Sequence, residues 1–599
     1  MRWLIHRTCF VFGLALALRA APAEFDSYVA TEVMVPMRDG VKLATDVYRP
    51  AHAGKVVEGR FPVLMYRTPY NKASQKGAAA YFAQHGYIVA AQDCRGRFRS
   101  EGEFYAFINE GKDGYDAIEW AGAQSWSNGK VGTIGGSYLG WDQYHAAMYH
   151  PPHLAAMFAL VGGANFYDEY GYPGGAPNLG WPLWILNSAS TSPEAAKNPA
   201  TAAAVNHARQ NPEAWLAEPP RRRAELFKDF PFHKKMYQDF YDHPALDNYW
   251  KQKGFYTAGN YKLMKDVPIY FLTGWYDYFS AGVLEDFAAL ARLQKTPKKL
   301  LVGPWPHGTG RSTCGDAFYG EPAAIDQNAL ALDWFDHWLK GRELRLVGPE
   351  PVRLFRMGGG DGSRASGKLT HGGQWRTASS WPVREAQPAK YYIHAGGALN
   401  PSLAMKDKPS TFVYDPARPV PTVGGRYSNA QVNGCAQDQG PANPRPDVLS
   451  FSTAPLESAV DLTGKVRSTL WISSDAVDTD FTAKLMDVYP NGYALILANG
   501  RVRTRYREGF EAPKLMKPGA VYKVTVDLGS TSNVFQSGHR IRLDISSSNY
   551  PEFESNPNTG EPAGAWTHRV KARNTVYHDA LRYSYVELPL IKHIPATRF

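Results

Sequence analysis

The sequence predicts a mostly parallel α/β sheet with helices on both faces, an inserted helical segment and a C-terminal all-β domain. Residues 28–165 alternate strand-like apolar runs with helical segments, which is typical of βαβ units. Residues 166–264 break this rhythm. They are first rich in Pro, Gly, Trp and Tyr and then contain segments with a helical pattern, such as 219–228. Beyond about residue 349 the chain consists of short runs in which apolar and polar residues alternate, as in 522–526, separated by turns. This pattern favours β-structure.

The length and composition support several packed domains. A chain of 599 residues is too long for one domain, and its 44% hydrophobic and 13% aromatic content favours filled cores over disorder. The α/β rhythm resumes after the insertion and ends with a helix at 332–339. The predicted division is a signal sequence at 1–23, the α/β part at 24–165 and 265–345, the helical insertion at 166–264 and the all-β domain at 346–599.

The N-terminus has the features of a cleavable export signal. Arg2 and Arg7 give a positive start, residues 8–18 form an apolar run of 11 residues, and Ala21-Pro22-Ala23 is an Ala-x-Ala cleavage site. The run is too short to span a bilayer, and no later stretch approaches 18 apolar residues. We therefore expect a secreted or periplasmic protein with no membrane span.

The net charge does not indicate a nucleic-acid partner. The formal charge is +10, and cleavage after Ala23 would remove three arginines and leave about +7. This excess is spread along the chain without a concentrated basic run, whereas nucleic-acid binding needs a basic patch.

The most informative segment is GGSYLG at 135–140, which lies between a strand-like run at 130–134 and a helical stretch at 141–148. A serine on a tight strand-to-helix turn, with glycine two residues before it, is a nucleophile elbow. The turn would hold the hydroxyl of Ser137 at a helix N-terminus, where backbone N–H groups stabilise an oxyanion. The alternative is a glycine-rich turn that only packs tightly.

A nucleophilic serine needs a base and an acid that orients the base. The predicted strand at 267–273 opens into Asp277, and the predicted strand at 299–302 opens into His307. Ser137, Asp277 and His307 thus follow strand ends in the order that this elbow requires. His145 and His150 lie on or just after the elbow helix, so we interpret them as packing or surface residues.

Three segments, GGSYLG (135–140), GWYD (274–277) and GPWPHG (303–308), resemble one known family. It is the CocE/NonD-type α/β-hydrolase family of cocaine esterase, α-amino-acid ester hydrolases, glutaryl-cephalosporin acylases and X-prolyl dipeptidyl aminopeptidases. The resemblance extends from about residue 28 to about residue 589. It implies an α/β-hydrolase core, a helical cap in the insertion and a C-terminal jelly roll.

The same resemblance implies that the Tyr70 hydroxyl donates to the oxyanion, since 66–72 (YRTPYNK) is similar to the family segment with that role. The position of Tyr70 also fits on physical grounds. It follows a strand-like run at 61–66, at the sheet edge where this fold supplies its second oxyanion donor. The backbone N–H of Tyr138 would be the other donor. The alternative for Tyr70 is a surface or cap-packing residue.

The cysteines allow one disulfide. Loss of Cys9 with the signal leaves Cys94, Cys314 and Cys435. Two of these can form a disulfide and the third would be a free thiol, and the sequence alone does not fix the pairing. We predict a Cys314–Cys435 bridge between the α/β part and the β-domain, with Cys94 as a buried thiol. No cysteine or histidine spacing indicates a metal or cofactor. We interpret the acidic stretch at 475–480 as a solvated loop rather than a calcium site.

These features predict a secreted serine hydrolase that cleaves small-molecule carboxylic esters through an acyl-enzyme. A second hypothesis is amide cleavage of the acylase or X-prolyl dipeptidyl-peptidase type. A third is a non-catalytic carbohydrate-binding protein with an inert hydrolase relic, although an intact triad argues against it. The sequence leaves the oligomeric state and the natural substrate open.

The resemblance also bears on substrate charge. The amino-ester hydrolases of this family hold the substrate ammonium with a Glu-Asp pair just after the catalytic aspartate, where this chain has Tyr278-Phe279-Ser280. A third acid is expected at the position of Gly171, although Asp168 and Glu169 lie near it. We therefore expect α-amino-acid esters to be poor substrates.

Overall fold

A sheet in the N-terminal half of the chain positions the candidate site. The structure, a computed structural model, describes residues 22–427, 434–440 and 445–591, so residues 1–21 of the predicted signal sequence lie outside the described residues. The strands of this sheet are β1 (Ser27–Pro36), β2 (Lys42–His52), β3 (Lys55–Val56), β4 (Phe61–Thr68), β5 (Ile88–Asp93), β6 (Ser127–Gly136), β7 (Leu154–Leu160), β8 (Ile269–Gly274) and β9 (Lys298–Gly303).

Most of this sheet is parallel. β1 pairs antiparallel with β2, and β2 pairs antiparallel with β5. From β5 the order continues as β4, β6, β7, β8 and β9, with every pairing parallel. Because parallel strands point the same way, their carboxyl ends meet at one edge. Thr68, Gly136, Gly274 and Gly303 end β4, β6, β8 and β9 at that edge.

Eleven α-helices lie within the described residues. They are α1 (Lys76–Gln84), α2 (Glu110–Ala123), α3 (Tyr138–Ala147), α4 (Gly180–Ser190), α5 (Pro193–Lys197), α6 (Pro199–Gln210), α7 (Pro212–Ala217), α8 (Pro220–Arg223), α9 (Pro231–Asp242), α10 (Ser280–Leu293) and α11 (Gln327–Lys340).

Helices cover both faces of the parallel sheet. Successive side chains of a strand point to opposite faces, and β4 follows this rule closely. Val63 and Met65 pack in one apolar cluster with residues of α2 and α10, whereas Leu64 and Tyr66 pack in another with α1 and α11. A strand buried on both faces reads as a continuous apolar run, which explains why the sequence showed runs rather than alternation here.

The insertion between β7 and β8 is mostly helical, and proline sets where its helices begin. Helices α5 to α9 all start with proline, at Pro193, Pro199, Pro212, Pro220 and Pro231. Proline suits the first helical position because its missing N–H would have no intrahelical partner there. No helix within the described ranges combines the length and hydropathy needed to cross a bilayer.

The C-terminal part of the chain is built of strands. They are β10 (Thr313–Cys314), β11 (Ala317–Phe318), β12 (Val352–Gly358), β13 (Arg364–Ala365), β14 (Lys368–Thr370), β15 (Gly373–Ala378), β16 (Ala386–His394), β17 (Ala398–Asn400), β18 (Ser410–Tyr414), β19 (Leu449–Ser452), β20 (Val460–Ser474), β21 (Asp480–Val488), β22 (Ala494–Arg503), β23 (Tyr522–Phe535), β24 (Arg540–Ser546), β25 (Ala572–Tyr577) and β26 (Tyr585–Ile591).

The two halves share one hydrogen-bonded sheet. β12 pairs in parallel with the edge strand β9, with Val352 opposite Leu300, and it also pairs with β23 of the all-β domain. Within that domain the pairings run from β23 through β20, β26, β16, β17, β19, β24, β21 and β22 back to β23. The β-domain is therefore a direct extension of the first sheet.

The acidic stretch at 475–480 differs from the sequence prediction. A loop does join β20 to β21, and Asp475 in it is exposed. Asp478 and Asp480 are fully buried, however, so the prediction that the stretch is solvated is wrong for these two acids. Arg505 donates through Nε to Asp478 at 2.8 Å, and Arg503 forms a bidentate pair with Asp480 at 2.9 Å for both bonds. Buried carboxylates need such partners, and the two arginines lie outside the acidic stretch in sequence.

Cys314 and Cys435 form a disulfide with a Cα–Cα distance of 5.4 Å, and Cys94 is free and buried. The backbone is also tied at this point, because the N–H of Asp316 donates to the carbonyl of Ala436 at 2.7 Å. The bridge thus fastens the segment that follows His307 to the β-domain.

A buried polar network anchors the elbow helix from below. The hydroxyl of Tyr138 donates to Glu110 Oε1 at 2.8 Å and accepts from the N–H of Phe107 at 2.8 Å. Arg67 pairs with Glu110 Oε2 at 2.8 Å, and the side chains of both are about 5% or less exposed. Arg67 also donates through Nε to Gln92 at 3.0 Å. The network connects β4, β5, α2 and α3.

Replacing Glu110 with glutamine should destabilise the protein strongly. The substitution leaves the buried Arg67 without its counter-charge, which costs about 3–5 kcal/mol in comparable pairs. Urea unfolding followed by fluorescence measures the loss. Asp116→Asn is the matched control on the same helix, because Asp116 pairs with Arg38, which is 46% exposed, and such surface pairs contribute at most about 1 kcal/mol. Equal losses for the two variants would contradict this account.

Removing the disulfide should also lower stability. The bridge closes a separation of 121 residues, and loss of a native disulfide commonly lowers the free energy of unfolding by roughly 2–5 kcal/mol. We expect Cys314→Ser/Cys435→Ser to unfold at a lower urea concentration. A reductant should lower the urea midpoint of the wild type and leave that of the double variant unchanged. A wild type that is insensitive to reductant would show that the bridge does not form in solution.

Candidate functional site

Ser137 occupies the turn between β6 and α3 in a strained conformation. Its φ is 61° and its ψ −124°, a region that non-glycine residues rarely adopt and that costs about 1–3 kcal/mol. The surrounding glycines allow the turn. A Cβ on Gly135 would lie 2.4 Å from the Cβ of Leu139, and one on Gly140 would lie 2.6 Å from the carbonyl oxygen of Leu160. The N–H of Ser137 donates to that same carbonyl at 3.0 Å.

Asp277 and His307 are joined directly. His307 Nδ1 lies 2.6 Å from Asp277 Oδ2, and the other carboxylate oxygen accepts the N–H of Phe279 at 2.6 Å. Asp277 is fully buried, and the side chain of His307 is 25% exposed. Because a carboxylate accepts hydrogen bonds, Nδ1 carries the hydrogen, and Nε2 is the ring nitrogen that carries the lone pair.

The loops that carry Asp277 and His307 are packed against each other. The N–H of Tyr276 donates to the carbonyl of Trp305 at 3.0 Å, and that of Trp275 donates to Gly303 at 2.9 Å. A Cβ on Gly274 would lie 2.1 Å from the carbonyl oxygen of Trp305, so only glycine fits where β8 ends. These contacts fix the distance between the two loops.

The residues after Asp277 form a wall for His307. The ring of Tyr278 stacks on the imidazole with centroids 4.3 Å apart, and the ring of Phe279 lies 5.6 Å away. The turn that carries Asp277 therefore also restrains the ring of His307. Sequence reasoning did not find this role, although the two aromatic residues directly follow Asp277 in the sequence.

Tyr70 lies beside Ser137 and receives a hydrogen bond from the insertion. The indole N–H of Trp184 on α4 donates to the Tyr70 hydroxyl oxygen at 3.0 Å. Burial raises the pKa of Tyr70, and hydrogen bonds with Trp184 and Ser137 partly offset this rise. The phenol is thus protonated at neutral pH. Because its oxygen accepts from Trp184, its own hydrogen remains available for donation towards Ser137.

The five predicted site residues therefore form two connected groups. Tyr70 contacts Ser137, whose neighbour Tyr138 begins α3 and has a backbone N–H with no acceptor inside the helix. Asp277 binds His307, but among the described residues no hydrogen bond joins His307 to Ser137. Hydrogen bonds between catalytic groups are often long in unliganded enzymes and shorten in the substrate complex.

Aromatic side chains surround these groups. The rings of Trp181 and Trp184 stack 4.7 Å apart, and Trp184 lies 6.2 Å from Phe104. Tyr170 lies 5.2 Å from Phe279 on the other side. The sequence showed only that the insertion is rich in Trp and Tyr. Such walls favour apolar, uncharged groups of a ligand.

The two acids near Gly171 lie in different surroundings. Glu169 Oε1 accepts the backbone N–H groups of Ala164 at 3.0 Å and Asn165 at 2.6 Å, and burial raises its pKa well above the ordinary value. Asp168 lies on a groove wall, where burial of its carboxyl raises the pKa to about 6. Glu169 therefore does not supply a fully charged carboxylate at neutral pH.

One group of metal-type ligands exists among the described residues. Cys94, Glu110 and Asp142 place one ligand atom each within 4.8 Å of one another in the buried interior. Glu110 is already paired with Arg67. Burial raises the pKa of the Cys94 thiol and the Asp142 carboxyl well above their ordinary values, so both retain their protons. Metal ligands must be deprotonated, so we assign these residues to the network beneath α3.

Known proteins are similar to this chain along nearly its whole length. Residues 39–309 match the model of the X-Pro dipeptidyl-peptidase (S15) family, and residues 347–587 match that of the X-Pro dipeptidyl-peptidase C-terminal non-catalytic domain. Cocaine esterase from Rhodococcus sp. (strain MB1 Bresler) is 36% identical over 599 residues, which cover 94% of this chain and 99% of that protein.

Solved structures share the fold at lower identity. An α-amino acid ester hydrolase aligns with a TM-score of 0.79 and 24% identity, covering 98% of this chain and 100% of that one. An aminopeptidase from the marine sediment archaeon Thaumarchaeota archaeon aligns with a TM-score of 0.77 and 23% identity, covering 95% and 97%. The protein is an enzyme of the serine hydrolase class, and its chain belongs to the CocE/NonD family, which includes cocaine esterase.

Proposed function

We propose that the protein is a secreted carboxylesterase whose catalytic triad is Ser137, Asp277 and His307. The observation that carries this proposal is the bond between the buried Asp277 and His307, made at the sheet edge where the strained turn presents Ser137. Ser137 Oγ attacks the ester carbonyl while His307 Nε2 takes its proton. His307 then gives that proton to the departing alcohol. In the second half of the reaction water attacks the acyl group, His307 takes the proton of the water, and it returns this proton to Ser137 Oγ as the acid is released.

The oxyanion would be held by two donors of different origin. The backbone N–H of Tyr138 lies at the positive end of α3, and the hydroxyl of Tyr70 comes from the end of β4. Trp184 supports the second donor because its indole N–H occupies a lone pair of the phenol oxygen. A polarised phenol is a stronger donor to the negative oxygen that forms in the transition state.

Ester cleavage is favoured over amide cleavage by the relatives. The 36% identical relative is named as an esterase, whereas the X-Pro dipeptidyl-peptidase models describe the wider family. Amide hydrolysis of the acylase or dipeptidyl-peptidase type is the second candidate. Membership of an enzyme family argues against the third hypothesis, a carbohydrate-binding protein.

The architecture and location are part of the same proposal. We interpret residues 24–165 and 265–345 as an α/β-hydrolase core, 166–264 as a helical cap and 346–599 as a jelly roll. Export is supported by the Ala-x-Ala site at 21–23 and by a disulfide, since such bonds persist in oxidising compartments.

Single substitution of the triad should nearly abolish turnover. We expect Ser137→Ala, His307→Gln and Asp277→Asn each to lower kcat/KM for 4-nitrophenyl butyrate by about 10⁴-fold or more, because the three groups act together. Tyr70→Phe should lower it about 10²-fold. His150→Asn, at an exposed histidine outside the site, is the control. A fluorophosphonate probe should label wild type and not Ser137→Ala. If Asp277→Asn kept the wild-type rate, another acid would orient His307.

The enzyme should prefer a neutral acyl group to an α-ammonium group. An ammonium buried without a counter-charge loses several kcal/mol of solvation. We expect kcat/KM for phenylacetate methyl ester to exceed that for phenylglycine methyl ester by about tenfold or more at pH 6. The difference should shrink near pH 9, where the amine is neutral.

Asp168→Asn tests the nearest acid in that comparison. A preference for the amino ester that disappears in Asp168→Asn would show that this carboxylate binds the ammonium, and the proposed substrate class would then be wrong.

A further inference from the structure

A groove of about 730 Å³ runs between the catalytic half and the β-domain. Asp168 and the first turns of α10 line one side of this interdomain groove, and residues of β20, β22 and β23 line the other. Tyr278 forms part of its wall and stacks on His307 with ring centroids 4.3 Å apart. The groove is therefore one aromatic ring away from the proposed catalytic base.

Arg501 lines this groove with unused hydrogen-bond capacity. It is 6% exposed, and its Nη1 donates to Glu552 Oε1 at 2.7 Å. Its Nε and Nη2 are buried and have no hydrogen-bond partner. The guanidinium lies over the ring of Phe553 at 4.6 Å, which restrains it. Two buried donors of a charged group are an unfavourable arrangement unless a ligand accepts from them.

A second guanidinium, that of Arg426, lines the same groove. It is half-buried and donates through Nη2 to the backbone carbonyls of Leu528, at 2.9 Å, and Asn499. Among the described residues no carboxylate lies within ion-pair distance of it. Gly529 makes room for it, because a Cβ there would lie 2.2 Å from Arg426 Nη1.

Of these two arginines, only Arg501 is paired with a carboxylate, that of Glu552. Glu552 binds Arg501 through Oε1, while its Oε2 accepts from the side-chain amides of Asn499 and Asn549. Burial lowers the pKa of Arg501, and the nearby charge of Arg426 lowers it further, against the opposing effect of Glu552. This end of the groove therefore has an excess positive charge.

Two acids, Asp168 and Glu285, lie on the opposite wall of the groove. Burial raises the pKa of Asp168 to about 6 and also raises that of Glu285. Asp527, also in the groove, is already paired with Lys465 at 2.6 Å. Arg501 thus offers two donors without a partner, and among the described residues no carboxylate is paired with Arg426 beside it.

We propose that the interdomain groove binds a carboxylate through Arg426 and Arg501, and that the enzyme prefers esters with a carboxylate remote from the scissile bond. The planar fork of a guanidinium matches the two oxygens of a carboxylate, and such charge-assisted bonds are strong in a shielded groove. This inference rests on the proposed ester hydrolysis for its substrate part, but not for its binding part.

Two matched ester pairs test the substrate part. The acyl-side pair is 4-nitrophenyl hydrogen glutarate and 4-nitrophenyl valerate. The alcohol-side pair is the acetate of 4-(hydroxymethyl)benzoic acid and that of 4-methylbenzyl alcohol. We expect kcat/KM to favour the acid in at least one pair by about tenfold. Arg426→Gln should remove most of that preference while leaving the neutral member within about twofold, and Arg426→Lys should keep part of it.

Arg501 is tested with its charge balance kept. Arg501→Gln/Glu552→Gln removes both charges and should lower the same preference, with circular dichroism and thermal unfolding as folding checks. Lys465→Gln is the matched control, since it removes a positive charge from the groove that is already paired with Asp527. An equal loss in Lys465→Gln would indicate a general field effect and contradict a specific site.

Calorimetric titration of glutarate and 4-methylbenzoate into Ser137→Ala tests binding without turnover. Binding to Ser137→Ala that is lost in Ser137→Ala/Arg426→Gln supports the site even if no ester is hydrolysed, in which case only the proposed function fails. Absence of a carboxylate preference in both pairs together with absence of binding would overturn the proposal. A preference that survives Arg426→Gln and the Arg501 double variant would overturn it as well.

Discussion

The close approach of β6, α3 and β7 is the constraint on which the site depends. Glycine at 135 and 140 lets the helix begin against the strands, and the bond from the Ser137 N–H to the Leu160 carbonyl fixes the turn. A larger residue at either position would separate these elements, and the serine backbone would then relax. Ser137 keeps its strained φ and ψ because this packing and this hydrogen bond prevent the backbone from relaxing.

The remaining site groups are held by partners from distant parts of the chain. Asp277 and His307 come from adjacent parallel strands, so their pairing follows from the sheet order. Tyr138 is held from beneath by Glu110, and Tyr70 is bound from above by Trp184. The Tyr138–Glu110 bond is buried, where hydrogen bonds are stronger and a missing partner is more harmful, whereas the Trp184–Tyr70 bond is exposed to solvent.

This division explains what could be predicted from the sequence. The positions of Ser137, Asp277 and His307 were predictable because each lies within four residues of a strand end, and strand ends are local signals. Trp184 was not predictable, since its bond to Tyr70 spans 114 residues and no local pattern records it. The same holds for the arginines that neutralise Asp478 and Asp480, so the acidic segment by itself indicates a solvated loop. In the β-domain the alternation indicated strands, but the order in which they pair depends on long-range contacts.

The parallel pairing of β12 with β9 has a consequence for how substrates enter. Two bodies that share a hydrogen-bonded sheet cannot hinge apart without breaking backbone bonds, unlike domains that touch only through side chains. We therefore expect the two walls of the interdomain groove beside Tyr278 and His307 to keep a fixed separation. A substrate would then have to fit a groove of fixed width. Motion would be confined to side chains and to the helical insertion beside Ser137.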